Sequence, residues 1–304
     1  MAKMKKTGLF DGAGSEDDYK HDPEGEEESN AGKYRLPFAL CKQKGIPIQD
    51  WWTPRHAWEA LKSGGYISNV SEEYKDYFRA KKKDYDKEVL KEKRKIRKER
   101  QERINEQKSN PDHVPEKNYT HKPGAIAGAD KGNPMSFEQA DGGSCNPYYN
   151  KGLIGYKTNC QTCVPVFIAR LQGYDVRALP NLDNREIAAL SRNTRLAYKT
   201  KDGGLPEYIH KPRGERNISF LDKNIKQGEI YSIEFAWKGR RTGHVLTAQR
   251  GEDGKVRLYD PQINQVYDNK TVSAYLSRTE NVRLMNLTNV TINEEYCDKI
   301  MKKA

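Results

Sequence analysis

Residues 71–108 hold ten acids and fifteen bases among strong helix formers. Apolar positions are few, Phe78, Tyr85, Val89, Ile96 and Ile104 among them, so this run cannot build a core of its own. Opposite charges recur three apart, Glu88 facing Lys91 and Glu92 facing Lys95, a spacing that supports an isolated helix. Residues 71–110 are therefore expected to form a solvated charged helix or weak coiled coil. A nucleic-acid-binding arm is the competing reading of Lys81-Lys82-Lys83 and Lys91-Glu92-Lys93-Arg94-Lys95, but the interspersed acids dilute its field.

The run divides the chain. Residues 1–31 are acidic and glycine-containing, ending near Glu26-Glu27-Glu28, and are expected to be a disordered tail. Residues 32–70 read as a small aromatic-rich helical unit: Thr53 is an N-cap, Pro54 takes the first helical position, and Trp51, Trp52 and Trp58 are expected to pack together. Pro111, Pro115, Pro123 and Pro134 mark 111–135 as a linker, and 136–304 has the composition of a globular domain. A hydrophobic content of 35% and a mean hydropathy of -1.01 fit a chain whose N-terminal half is largely solvated. The net charge of +11 favours acidic partner surfaces. No stretch approaches the roughly 18 apolar residues of a membrane span. No apolar segment follows the basic Met1–Lys6 either. A soluble chain without a classical leader is expected, cytoplasmic as synthesised, with no membrane partner. Five cysteines are too few and odd in number for a disulfide framework.

Within 136–304, Val164, Phe167, Ile168 and Leu171 have helical spacing and Gly173 is a stop. Ile230–Trp237 alternates as a strand. Gly251-Glu252-Asp253-Gly254 joins His244–Ala248 to Val256–Tyr259 as a hairpin. Val266–Tyr267 and Val282–Met285 are further strands around a helix over Val272–Leu276. The fold class is α+β, a helix packed on an antiparallel sheet.

The chemistry-bearing residues sit at the ends of these elements. Pro165 is tolerated only in a first turn, which puts the helix start near Thr162 or Cys163 and Cys163 at the positive end of the dipole. Cys160, behind Asn159, stays close enough to compete as a nucleophile. His244 opens one strand of the hairpin and Asp260 ends the other, so the carboxylate can hold the imidazole. Asn159 or Gln262 can donate to a developing oxyanion. This is a Cys-His-Asp arrangement of the papain type and points to acyl transfer without a cofactor. Zinc is the other use of Cys160-x-x-Cys163, but no second pair follows, and Cys145, Cys297 or His210 would have to complete it. A redox CxxC would want a parallel βαβ setting that hairpins do not supply.

At these residues the chain resembles the papain-fold toxin domains of the glutamine-deamidase type, found in bacterial polymorphic toxins and in phage-encoded proteins. The matching features are Asn146-Pro147, Asn159-Cys160, Cys163, Arg170, Gly173-Tyr174-Asp175-Val176 and Ala178-x-Pro180. They continue through Trp237-Lys238-Gly239, Gly243-His244-Val245 and Asp260-Pro261-Gln262, so the resemblance spans residues 136–292. It implies hydrolysis of a glutamine side-chain amide of a protein substrate, an immunity protein as partner, and Cys160 as the nucleophile, against the helix argument for Cys163. The segment Tyr34–Leu61 is similar to what precedes such domains in phage minor head proteins. That similarity implies virion or head proteins as partners; if the chain leaves its cell, the lack of a classical leader implies a leaderless route. A papain-like protease or a transglutaminase would need the same site. A phage structural protein with an inert site is the reading from a different class.

Overall fold

The computed structural model describes residues 72–304 apart from Gly142. The expected acidic tail, the aromatic-rich unit and Cys41 lie outside the described residues. Two compact units divide between Glu102 and Arg103. Helix α1 (Glu72–Ser109) fills the charged run, and its described side chains up to Glu102 are mostly exposed.

The last turns of α1 belong to the second unit. Ile104 is fully buried with Ile154 and Leu182. Gln107 donates to Ile154 O and accepts from Ile154 N, both at 3.0 Å. Residues 111–135, which read as a linker, also pack here. Strands β1 (Ala125–Ile126) and β2 (Ala129–Asp130) form a hairpin whose Ile126 is fully buried. His121 Nδ1 lies 2.7 Å from Asp298 Oδ2, and Gly132 N–H donates to Gly173 O at 2.9 Å. A side chain at Gly173 would meet Gly132 O at 2.4 Å, so this closure requires glycine. Prolines and glycines announce turns, but not whether the turns are covered. A chain starting at Arg103 is expected to keep the melting temperature of this unit. One starting at Asp112 should melt roughly 5–10 °C lower, from about 2–3 kcal/mol of lost burial. Calorimetry of the two truncations checks this, and equal melting temperatures would mean that the helix end contributes nothing.

The remaining elements, in chain order, are α2 (Phe137–Ala140), α3 (Cys160–Leu171), β3 (Val176–Ala178), α4 (Arg185–Arg192), β4 (Tyr198–Lys199), β5 (Ile209–His210) and α5 (Asn217–Asn224). A meander follows: β6 (Ile230–Trp237), β7 (Gly243–Arg250), β8 (Val256–Asp260) and β9 (Gln265–Tyr267). The chain ends with α6 (Asn269–Leu276), β10 (Thr279–Asn286), β11 (Thr291–Ile292), α7 (Glu294–Cys297) and β12 (Met301–Lys303). Six strands form an antiparallel sheet in the order β5-β10-β6-β7-β8-β9. Two short pairs, β3–β12 and β4–β11, flank it.

Helix α3 covers one face of the sheet, where Val164, Phe167 and Ile168 pack with Val245, Tyr259 and Met285. Helices α5 and α6 cover the other, where Phe220, Leu221, Val272 and Leu276 pack with Ile233, Phe235, Leu246 and Leu258. Alternation in β6 therefore separates two buried faces, and seven of its eight residues being apolar or small is explained by that double cover. The α+β class holds. Helices α4 and α5 had not been expected, although Asn184 caps α4 by accepting from Glu186 N and Ile187 N.

Candidate active site

A buried amide cluster decides where α3 begins. Asn159 is fully buried, and its Nδ2 donates to Asn146 Oδ1 and Leu179 O, each at 3.2 Å. Its Oδ1 accepts from Gln262 Nε2 at 3.2 Å. Asn146 Nδ2 donates to Tyr156 O at 2.9 Å and Gln262 O at 3.0 Å. With Asn159 held this way the chain enters the helix at Cys160, not near Thr162 or Cys163. Pro165 then lies beyond the first turn, and Gln161 O goes without the hydrogen bond that a residue other than proline would give. Tertiary hydrogen bonds have overridden the proline signal.

The shift by one turn separates the two thiols. Cys160 takes the first helical position, at the positive end of the dipole. It lines a cavity of about 430 Å³ together with Gln161, Glu234, His244 and Arg283. Cys163 does not line it. It is fully buried, and burial, followed by the neighbouring Cys145 and Cys160, pushes its thiol well above the usual cysteine range.

His244 enters the site from the start of β7. Gly243 precedes it, and a Cβ at that position would stand 2.4 Å from Phe235 O, so glycine lets β6 and β7 close where the imidazole begins. The β7–β8 ladder runs from Arg250↔Val256 to Thr247↔Tyr259, with Asp260 just past its end. His244 Nε2 reaches Asp260 Oδ2 at 2.6 Å, both residues buried. Asp260 Oδ1 accepts from Gln262 N–H at 3.0 Å, so both carboxylate oxygens are used. Trp237 stacks on the imidazole at 6.2 Å between centroids and Phe235 meets it edge-on at 6.1 Å. Nδ1 has no conventional hydrogen-bond partner among the described residues. Burial alone would lower the proton affinity of this ring. The charges of Asp260 and then Cys160 outweigh it and hold the histidine well above its ordinary value. The arrangement is a thiol at a helix tip beside an imidazole oriented by a carboxylate, which is the requirement for thiolate catalysis.

Asn159 and Gln262, expected as oxyanion donors, are spent on the buried amide cluster and neither lines the cavity. Gln161, which sequence reasoning passed over, does line it. It is 4% exposed, its Oε1 accepts from Cys160 Sγ at 3.6 Å, and its Nε2 has no partner among the described residues. The main-chain N–H groups of Cys160 and Gln161 also find no acceptor among the described residues. The signal was the polar residue following the thiol in a first turn, where unpaired donors converge. Opposite lies a polar wall: Arg283 Nε and Nη2 bind Glu234 Oε2 at 2.9 and 2.6 Å, and Thr194 donates to Glu234 Oε1. Among the described residues no three His, Cys, Asp or Glu side chains converge in a metal-ligand cluster. No helix there is long and apolar enough to cross a membrane.

Residues 158–264 match the family model described as papain fold toxin 1, glutamine deamidase. The matched span runs from just before Asn159 to just past Gln262, so it contains Cys160, Cys163, His244 and Asp260. The fold is papain-like, with the thiol-bearing helix laid on an antiparallel sheet. Nothing matches among the curated proteins. Deamidation of glutamine is hydrolysis of an amide, which is the class of reaction this family points to.

Proposed function

We propose that this unit is a toxin or effector that hydrolyses glutamine side-chain amides of a protein substrate, with Cys160 as nucleophile, His244 as acid and base, and Asp260 orienting the imidazole. The observation that carries this reading is the His244 ring, held by Asp260 at 2.6 Å through Nε2 while Nδ1 is left without a conventional partner in the cavity shared with Cys160. The Cys160 thiolate adds to the amide carbon, and the resulting oxyanion takes the N–H of Cys160 and Nε2 of Gln161. Collapse breaks the carbon–nitrogen bond, and the leaving nitrogen takes the imidazolium proton and departs as ammonia. Water then gives a proton to His244 and attacks the thioester, releasing a carboxylic acid and the Cys160 thiolate and so restoring the starting pair.

Intact-mass analysis of candidate proteins incubated with the full chain tests this. Deamidation adds about one dalton per glutamine, whereas proteolysis gives fragments. Cross-linked species would indicate transglutamination, and an inert site would leave every mass unchanged.

Gln161 supplies a separate prediction. Gln161→Ala is expected to lower kcat by roughly 10- to 1000-fold with little change in KM, because its amide donates only once the oxyanion forms. Steady-state ammonia release reads both constants, and an unchanged kcat removes Gln161 from the site.

A further inference from the structure

The cavity holding Cys160 and His244 shares lining residues with two larger basic clefts. It shares His210 and Arg283 with a cleft of about 500 Å³ that Arg192, Arg195 and Glu207 also line. Asn281 is common to the cavity and to a second cleft, of about 610 Å³, whose bases are Lys211, Arg213, Arg216 and Lys238. Asn281 occupies this junction because β10 slips register between Glu280 and Arg283, with Asn281 at a φ of 54°.

The charges along this path are ordered. In the central cavity Arg283 is neutralised by Glu234 at 2.6 Å. In the first cleft Arg195 has no carboxylate partner among the described residues, its guanidinium lying over Tyr208 at 5.2 Å and donating to the neutral Asn193. In the second, Lys211 and Lys238 bind only carbonyl oxygens, those of Pro212, Glu215 and Ser277. Arg192, Arg213 and Arg216 are exposed and make no side-chain hydrogen bond or ion pair with any described residue. Glu207 in the first cleft and Glu215 and Glu280 in the second are the opposing acids, so bases outnumber acids in both clefts that border the neutral cavity.

We infer that the reactive glutamine is presented in an acidic protein segment, with carboxylate side chains on both sides of it. The glutamine enters the neutral cavity, and the flanking acids meet Arg192 and Arg195 in one cleft and Arg213 and Arg216 in the other. This rests on the deamidase reading for the reaction, but the charge preference belongs to the surface and is measurable without turnover.

Three peptides with a central glutamine flanked by Glu, Ser or Lys, and an oligonucleotide of the acidic peptide's charge, are titrated into the full-length Cys160→Ala protein by fluorescence anisotropy. The Glu-flanked peptide is expected to bind on the order of tenfold or more tighter than the Lys-flanked one at low ionic strength. The gap should close as salt rises toward about 0.5 M. Arg192→Glu combined with Arg213→Glu and Arg216→Glu should invert the order. In the active protein the same substitutions should leave hydrolysis of N-acetylglutamine amide unchanged. Equal binding of the three peptides overturns the inference, and so does tighter binding of the oligonucleotide than of the acidic peptide. A clear preference for the acidic peptide, with neither peptide nor small amide hydrolysed by the active protein, upholds the surface and removes the deamidase reading instead.

Discussion

Cys160→Ala is expected to lower amide turnover by on the order of 10⁵-fold, while Cys163→Ala stays within roughly threefold of the unsubstituted chain. The two thiols are one helical turn apart, and only Cys160 lines the cavity with His244. Iodoacetamide at about pH 6 should label Cys160 first, because its thiol sits at a helix tip in the cavity it shares with His244. Burial pushes Cys145 up to about 12 and holds Cys163 and Cys297 well above the usual range. His244→Ala should slow the labelling of Cys160 by removing its counter-ion. Peptide mapping identifies the labelled site. Primary labelling at Cys163, or loss of activity in a folded Cys163→Ala protein, would sink the assignment.

The second large effect is expected from Asp260→Asn. Asparagine keeps the size of the side chain but has a single acceptor oxygen, whereas Asp260 accepts from His244 through Oδ2 and from Gln262 N–H through Oδ1. Whichever donor the amide oxygen serves, its NH₂ group faces the other. Loss of the orienting partner should reduce kcat by roughly 10³- to 10⁴-fold. Stability should respond with a definite sign. The folded imidazole keeps its proton above the unfolded value of about 6.5, so the stabilisation from the pair is complete below that pH. It is lost as pH rises through the folded value. The melting-temperature advantage of the unsubstituted chain over Asp260→Asn is thus expected to be largest near pH 6 and to shrink on the alkaline side. A pH-independent advantage, or a kcat within tenfold, would show that the carboxylate's charge is not what holds His244.

The parts of this architecture that are legible in sequence are those fixed by local chemistry. Gly251-Glu252-Asp253-Gly254 specifies a turn, and a turn sets which strand ends lie together. That is how His244 and Asp260 could be placed side by side before any coordinates. The start of α3 was not legible, because it depends on Asn146, Leu179 and Gln262 gripping Asn159 from distant parts of the chain. Pro165, the strongest local signal, pointed to Thr162 or Cys163, two to three residues too far. The same amides explain why Asn159 and Gln262 looked available as oxyanion donors: a residue type reveals its capacity to donate, but not whether that capacity is already used. Gln161 shows the converse, since an unpartnered amide is visible only once its neighbours are in place. The prolines of 111–135 are themselves mostly exposed, while the burial of Ala125, Ile126 and Ala129 beside β12 and α7 required the whole unit.

Strand order also has a consequence for the cell that makes this chain. The sheet sets β10 against β6, and β3, just after the thiol-bearing helix, pairs with β12, close to the last residue. Emerging from the ribosome, Cys160 is synthesised long before Arg283 and Asn281, which wall its cavity, and before Met301, which closes on Ala178. These pairings are distant in sequence and form late. Under the proposed function a nascent chain would carry its reactive thiol in an unfinished site, so translation itself would delay the chemistry and spare the ribosome's surroundings until β10 and β12 have been made.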